Sequence, residues 1–235
     1  RHNAPGGLNS FYSFGGRKFD VGLHAMTNFV RPGVRGSPLG KLLRQLRIDR
    51  DDLDLSEQRR SRIAFAGTNL LFSNDFGLFE SQVADRFPGQ IDGFKRLIET
   101  VRAFDITELD REETSARETI SAFLSDPLLI DMLLCPLMFY GSAMEDDMDW
   151  TQFVTMAQSI YLEGLCRPFE GVRLVIRVLL DRYRKSGGRR RMKSGVKKID
   201  ISGGRARRLI LDSGEEVRAD HIISSIGSVE TMRLL

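Results

Sequence analysis

The sequence predicts an α/β fold with a mainly helical α+β insert. Residues 1–35 and 168–235 carry paired glycines and alternating apolar residues, which are typical of turns and strands. Residues 36–167 instead repeat their apolar residues at helical spacing. We therefore expect the two end segments to pair into one domain and the middle segment to form a second.

Glycine pairs organise the first segment. Pro5-Gly6-Gly7 and Gly15-Gly16 are turn signals, and such pairs also allow close approach of the backbone to a ligand. The residues Phe19–Leu23 predict a short strand that ends at Gly22. The loop 31–38, rich in proline and glycine, marks a boundary before the insert.

The insert contains several amphipathic stretches. The leucines within Leu39–Leu46 share one helical face, and so do the apolar residues of Phe94–Val101. Two apolar runs around Gly67 predict a hairpin. The stretch Asp126–Pro136 begins with a capping residue and a proline, is apolar nearly all round, and is expected to form a buried helix that stops at Pro136.

The last segment begins with a helix and continues with strands. Apolar residues within Val172–Tyr183 share one face, and Gly187 is the expected left-handed stop. Alternating residues separated by glycine turns then predict a three-stranded meander over 196–219. The apolar run His221–Ile226 predicts a strand buried on both faces, as in a parallel sheet.

Composition narrows the class of protein. The chain has 235 residues, of which 41% are hydrophobic and 29% are charged, as in a globular protein with a sizeable core. A net charge of +3 gives little support for any charged partner. Neither an apolar run of about 18 residues nor a signal-peptide pattern is present. Cys135 and Cys166 form no metal or redox motif, which favours a reducing, cytoplasmic location.

Several of these segments resemble the phytoene desaturase-like flavoprotein oxidoreductases, a group related to the amine oxidases, the protoporphyrinogen oxidases and the retinol saturases. Their order along the chain follows the order of the family's motifs. The resemblance rests on Pro5-Gly6-Gly7, Lys18–His24, Phe87-Pro88, Pro168–Gly171 with the helix after it, Gly187-Gly188, Val196–Ile199, Asp212–Asp220 and Ile222–Ser225.

The resemblance implies a partial, FAD-binding Rossmann-like domain with a β-meander, covered by a mainly helical substrate domain. In this family the FAD domain opens with a Gly-x-Gly-x-x-Gly fingerprint and closes with a Gly-Asp motif. Neither motif occurs in the present sequence, which opens at Arg1. We therefore expect an internal fragment of an FAD enzyme, weak in FAD binding and inactive by itself.

The resemblance assigns the nucleotide end of FAD to three residues. Gly6 and Gly7 match the turn that passes the phosphates and ribose, where glycine allows close approach. Val196 matches the family position whose backbone meets the adenine.

The flavin end is assigned to the end of the first predicted strand. Asp20 and Gly22 match positions beside the isoalloxazine, and Leu23 and His24 would lie near it. His24 is the one candidate for a catalytic role, since imidazole titrates near neutral pH. The alternative is a loop histidine that hydrogen-bonds the backbone. Glu170 stands where the family often has glycine, which argues against close flavin approach there.

Two charged clusters have plainer explanations than ligand binding. The acidic residues within 145–149 lack metal-ligand spacing, and they predict a solvated helix start capped by Asp149, with no metal. The basic residues of 189–208 predict a solvated sheet edge that discourages strand addition. They leave contact with an anionic membrane open, whereas nucleic acid is not expected because no aromatic residues interleave.

The leading functional hypothesis is an FAD-dependent oxidoreductase that moves hydride to or from flavin on an apolar, isoprenoid-type small molecule. The apolar helices at 120–135 and 150–165 would line the substrate tunnel, although their periodicity alone predicts core. An amine- or porphyrinogen-oxidising enzyme is the alternative within the same group. A non-enzymatic module that binds a membrane or a protein partner is the alternative from another class.

Overall fold

The computed structural model describes residues 5–22, 25–29, 31–34, 36–108 and 110–235. The contacts divide the chain into two compact units, one comprising Leu8–Arg182 and the other the residues up to Gly7 together with Tyr183–Leu235. The mixed helix and strand class is confirmed. The domain borders expected after residues 35 and 167 both fall inside the larger unit and stay predictions.

The larger unit is mainly helical, with three small antiparallel strand pairs, β1–β2, β3–β6 and β4–β5. Its strands are β1 (Ser10–Phe14), β2 (Arg17–Val21), β3 (Leu55–Glu57), β4 (Ser61–Phe65), β5 (Thr68–Phe72) and β6 (Cys166–Pro168). Its helices are α1 (Pro38–Leu46), α2 (Phe76–Arg86), α3 (Ile91–Ala103), α4 (Ala116–Ser121), α5 (Pro127–Met138) and α6 (Trp150–Ala157). Short 3-10 turns cover Arg50–Leu53 and Pro88–Gln90, and a π-helical stretch, Gln158–Leu162, continues α6.

Polar residues at the start of these helices explain where they begin. In each of five helices the residue before the first turn accepts a hydrogen bond from a backbone N–H that has no partner within the helix. This confirms the caps predicted before α5 and α6. The capping residues are Ser37, Asp75, Ser115, Asp126 and Asp149.

The core of the larger unit forms between α2, α3, α5, α6 and β5. Phe79, Phe94 and Leu70 are fully buried there, and the Phe79 and Phe94 rings meet edge to face at 5.7 Å. Tyr161 is also buried, and its hydroxyl donates to the Leu133 carbonyl at 2.9 Å. The apolar side chains of α5 and α6 are thus largely taken up by core packing.

The prediction that the apolar helix stops at Pro136 was wrong, because α5 continues to Met138. A proline removes one N–H and crowds the carbonyl four residues earlier, which is most disruptive in the middle of a helix. Pro136 lies in the last turn of α5, where few helical residues follow it, so the helix tolerates the loss of one hydrogen bond.

The smaller unit contains the predicted meander. Strands β7 (Val196–Ser202), β8 (Arg205–Leu211) and β9 (Glu216–Arg218) pair antiparallel in that order, and a short helix, α8 (Ser228–Met232), follows. Helix α7 (Val172–Lys185) precedes the meander, and the border between the units falls within it. Gly187 stops that helix with a φ of 82°, as predicted.

The two isoleucines of β7 do not share one environment, although their spacing predicts that they would. Ile199 is 5% exposed, whereas Ile201 is 48% exposed. A register shift lies between Asp200 and Ile201. Such a bulge turns the residues after it toward the other side of the strand.

The buried strand predicted at His221–Ile226 was wrong. This stretch forms no strand, and Ile223 and Ile226 are 95% and 55% exposed. A strand buried on both faces needs hydrogen-bonded neighbours, and every strand pair within the described ranges is antiparallel and lies elsewhere. Across the same ranges, no helix is long and apolar enough to cross a membrane.

A glycine in α3 provides a test of this packing. Gly93 is buried, and a Cβ there would overlap the Phe123 carbonyl oxygen. Gly93→Ala should therefore lower the free energy of unfolding by about 1–3 kcal/mol, although alanine is the better helix former. Urea unfolding monitored by circular dichroism measures the change.

Gly89→Ala is the matched control, because a Cβ at Gly89 meets nothing within 4 Å. Its unfolding midpoint should stay the same or rise slightly. Equal midpoints for the two variants would contradict the close packing of α3 against Phe123.

Candidate functional site

The smaller unit has an open cleft of about 940 Å³ beside the start of β7. Its floor comes from the meander, and its other walls come from the loop before β7, the extended stretch after β9 and the end of α8. The floor and walls are mainly apolar, with basic side chains at the loop. The residues that line it include Val196, Ile199, Leu209, Ile222, Ile226, Leu234, Arg191, Lys193 and Arg233.

The predicted adenine contact, Val196, lies in the wall of this cleft. Val196 begins β7 and pairs with Leu211, and the Gly195 carbonyl before it accepts from the Asp212 N–H at 2.9 Å. The backbone here is therefore fixed in place. Apolar walls with a fixed backbone edge suit a flat heteroaromatic ring, which buries its faces and hydrogen-bonds through its rim.

The predicted phosphate and ribose contacts, Gly6 and Gly7, form an exposed turn with φ of 118° and 56°. A Cβ at Gly7 would meet nothing within 4 Å, so the left-handed backbone, and not crowding, is what favours glycine there. Neither residue lines the cleft. Their role toward FAD stays a prediction.

The larger unit buries the carboxylate of Asp20, the predicted flavin-side residue. Its side chain is 1% exposed and accepts from Arg167 at 2.6 Å and from Arg173 at 3.4 Å. Gly171, with a φ of 72°, lies so close that a Cβ would overlap the carboxylate oxygens. Both oxygens are thus engaged by the protein. The structure gives Asp20 a role in joining β2 to the start of α7, and its contact with flavin stays a prediction.

The other flavin-side residues are only partly described. Gly22 has a φ of 85°, and a Cβ there would meet the Leu8 carbonyl oxygen at 2.8 Å. This close approach within the chain by itself requires glycine. Leu23 and His24 lie outside the described residues. His24 therefore remains a candidate from the sequence alone.

A second cavity, of about 780 Å³, lies in the larger unit among α4, α5 and β4. Apolar side chains form most of its wall, and an ion pair lies at its edge, where Arg117 donates to Asp131 at 2.7 Å. Arg117 also donates to the Asp146 carbonyl from Nε and from Nη2, at 3.0 and 2.7 Å. The cavity is lined by Phe65, Leu134, Cys135, Met138, Phe139, Arg117, Asp131 and Asp146.

The acidic cluster supports helix starts, as predicted for Asp149, which caps α6. Asp147 accepts hydrogen bonds from the Ser115 hydroxyl and from the Arg117 and Met148 N–H groups. Burial acts to raise the pKa of Asp147, but these hydrogen bonds outweigh it and hold the pKa below its ordinary value. No cluster that is able to hold a metal occurs within the part of the chain that the structure describes.

The two cysteines are free thiols with different surroundings. Cys166 is buried, and burial raises the pKa of its thiol to about 11, although Arg50 acts in the opposite direction. Cys135 is partly exposed and lines the second cavity.

Sequence reasoning missed Arg167 and Arg173 as partners of Asp20. They lie 147 and 153 residues from it along the chain, and no local pattern links residues so far apart. The one available signal was an acidic residue at an alternating strand position, because buried carboxylates require partners. Arg117 was missed for the same reason.

Comparison with known proteins gives a family and a fold. A family profile described as flavin containing amine oxidoreductase matches residues 2–228. The fold is similar to that of an oxidoreductase from Methanosarcina mazei, with a TM-score of 0.70, 21% identity, and coverage of 99% of this chain and 54% of that one. A protein from Pyrococcus furiosus gives a TM-score of 0.67 at 18% identity, with coverage of 98% and 52%. No curated protein sequence matches significantly.

The chain thus spans about half the length of these two structures. At this level of identity the likeness concerns the fold.

The Asp20 cluster can be tested by removing one charge. Asp20→Asn should lower the free energy of unfolding by about 1.5–3 kcal/mol, because it removes a buried, charged acceptor of hydrogen bonds from Arg167 and Arg173. Urea unfolding measures the loss. Glu170→Gln is the control, because it removes an exposed carboxylate that is paired with Arg177 and should change little. Similar losses in both variants would show that Asp20 has no special structural role.

The pKa of Asp147 predicts a dependence of stability on pH. Its folded-state pKa lies below the ordinary value of 3.8, so the unfolded chain takes up the proton first. The stabilisation is therefore present above the unfolded-state pKa and is lost as the pH falls through the folded-state pKa. Asp147→Asn should flatten the decline in unfolding free energy between neutral and acidic pH.

Glu145→Gln is the comparison variant, since the described contacts give Glu145 no hydrogen bond. It should keep the acid-induced decline. An unchanged decline in Asp147→Asn would exclude this carboxylate as a source of acid sensitivity.

Proposed function

The chain belongs to the flavin-containing amine oxidoreductase family, and on this premise we propose that it is part of an FAD-dependent oxidoreductase that acts on an apolar, isoprenoid-type substrate. The observation that carries the cofactor assignment is the cleft beside Val196, whose apolar walls and fixed backbone edge suit an adenine ring. The family description itself names flavin.

The residues of this chain would hold the nucleotide end of FAD. Val196 would present its backbone to the adenine, and Ile199 would form the apolar floor beneath the ring. Gly6 and Gly7 would pass the phosphates and ribose. When bound, FAD supplies the acceptor or donor of hydride, so the protein needs little acid–base chemistry of its own.

The second cavity supports an apolar substrate. Phe65, Leu134 and Met138 offer hydrocarbon and aromatic surface, and a volume of about 780 Å³ is that of a drug-sized ligand site. The Arg117 guanidinium is held by Asp131 and by the Asp146 carbonyl, so its charge is already compensated. A long hydrocarbon therefore meets few unpaired polar groups along this wall.

An amine substrate is the second candidate, and one feature favours it. Asp131 and Asp146 both line this cavity, and carboxylates attract a protonated amine. Because Asp131 already pairs with Arg117, we favour the apolar substrate.

Flavin binding tests the cofactor assignment. Ser194 lies in the wall of the cleft, so Ser194→Trp should fill it and lower the FAD affinity by roughly tenfold or more, in line with the loss of one good contact. This variant and its control are made in the full-length protein, and the measurement is the ratio of flavin to protein absorbance after equilibration with FAD. Ser202→Trp, at the far end of β7, introduces the same side chain outside the cleft and should bind as the unchanged protein does.

Anaerobic mixing of the flavin-loaded, full-length protein tests the substrate class. Geranylgeraniol should change the flavin absorbance, either bleaching the oxidised form or restoring it from the reduced form, whereas benzylamine should not. A response to benzylamine alone would favour the amine-oxidising alternative. A full-length protein that takes up no flavin would refute the oxidoreductase proposal and favour a binding module.

A further inference from the structure

The hairpin of β1 and β2 has two different faces, because side chains alternate along each strand. One face carries Phe11 and Asp20, which lie opposite each other in the register. Asp20 is buried, and the Arg173 guanidinium lies 4.9 Å from the centre of the Phe11 ring. This face therefore packs against the rest of the larger unit.

The outward face is aromatic and exposed. Tyr12 lies opposite Phe19, and their rings stack with centres 5.3 Å apart. Tyr12 is 55% exposed, Phe14 is 76% exposed, and Val21 is 40% exposed. Neighbouring apolar side chains with this exposure are typical of surfaces that contact a partner or a membrane.

The tip of the hairpin adds positive charge. Gly15 and Gly16, with φ of 55° and 74°, close a two-residue turn that brings Phe14 beside Arg17. Arg17 belongs to the outward face, and the exposed Lys18 follows it. The three cross-strand pairs of the outward face contain no acidic residue.

One acidic residue, Glu170, interacts with the tip, and its charge is already compensated by another cation. Lys18 interacts electrostatically with Glu170 across the inner side of the hairpin. The Glu170 carboxylate is held by Arg177 in two hydrogen bonds, at 2.8 and 3.2 Å. The tip therefore keeps a net positive charge.

The size of the face argues against a protein partner. Two strands of five residues make a surface about 17 Å long and about 10 Å wide, or about 170 Å². A stable protein interface buries about 800 Å² on each partner. A membrane contact has no such threshold, because a few aromatic rings in the headgroup region act together with cations that are attracted to lipid anions.

We propose that this hairpin docks the protein on an anionic lipid surface. Phe14 and Tyr12 enter the headgroup region, and Arg17 contacts the lipid anions. The proposal does not depend on which substrate the protein uses.

Co-sedimentation with vesicles tests the docking. The 235-residue chain should bind vesicles of phosphatidylcholine mixed with phosphatidylserine, and should bind phosphatidylcholine alone much more weakly. Phe14→Ser and Arg17→Glu should each lower the binding to the anionic vesicles by roughly tenfold or more. Added salt should weaken the binding as well, because lipid charge contributes to it.

Matched controls distinguish binding through the hairpin from nonspecific binding to vesicles. Phe139→Ser removes an even more exposed phenylalanine, at 85%, and Arg62→Glu reverses an exposed arginine on β4. Both should bind vesicles as the unchanged chain does. Equal losses in the control variants, absence of binding to the anionic vesicles, or equal binding to both kinds of vesicle would overturn the proposal.

A gain of signal gives an independent measurement. Phe14→Trp adds a second tryptophan to a chain whose single Trp150 is buried. Its emission should shift to shorter wavelength with anionic vesicles and stay unchanged with phosphatidylcholine alone. Analytical ultracentrifugation without lipid tests whether a second copy of the chain binds this face instead. A dimer that Phe14→Ser dissociates would assign the face to a second copy and overturn the membrane proposal.

Discussion

The attachment of β1 and β2 to the rest of the larger unit depends on one buried carboxylate, that of Asp20. A two-stranded hairpin has too little buried surface to be stable alone, so β1 and β2 need an attachment. The attachment is the pair of bonds that Asp20 accepts from Arg167, in β6, and from Arg173, in the first turn of α7. A carboxylate removed from water is costly unless its charge is matched, and here two guanidinium groups match it. Gly171 completes the arrangement, because only a residue without a side chain lets the backbone lie against this carboxylate.

Local parts of the fold were readable from the sequence, and the long-range parts were not. Asp126 and Asp149 were predicted as caps because a helix start requires acceptors for its N–H groups within a few residues. The Asp20 pairs join residues about 150 positions apart, and nothing local encodes them. The exposure of Ile201 follows from a one-residue bulge, and an alternating sequence pattern does not predict where a bulge occurs. The run His221–Ile226 has strand composition, but composition does not supply the hydrogen-bonding neighbours that a strand requires.

The candidate site, like the fold, was predicted only in part from the sequence. Val196 was reached through the family resemblance, and the structure places it in the wall of an apolar cleft. Asp20 was reached in the same way, but its carboxylate turned out to be engaged within the protein. Glu170, which stands where the family often has glycine, forms an exposed ion pair with Arg177. The family resemblance identified candidate positions around the cofactor. Only the contacts in the structure distinguish a side chain that is open to a ligand from one that stabilises the fold.

The π-helical stretch after α6 has a consequence for how this protein can vary in sequence. In the wide turn the Glu163 N–H bonds to the Gln158 carbonyl, five residues back, so the Ser159 carbonyl is left to accept from the Asn28 N–H at 3.2 Å. The nearby Met26 and Phe29 N–H groups bond to the carbonyls of Cys166 and Gly164. At Met26 and Phe29 only main-chain atoms make these bonds, so substitutions there are tolerated more readily than a change in length. At Asn28 the side chain also donates to Glu163 at 2.7 Å, and the left-handed backbone favours asparagine. Losing a single residue from the wide turn would restore α-helical spacing. The Ser159 carbonyl would then accept a bond within the helix and no longer hold the segment 26–29.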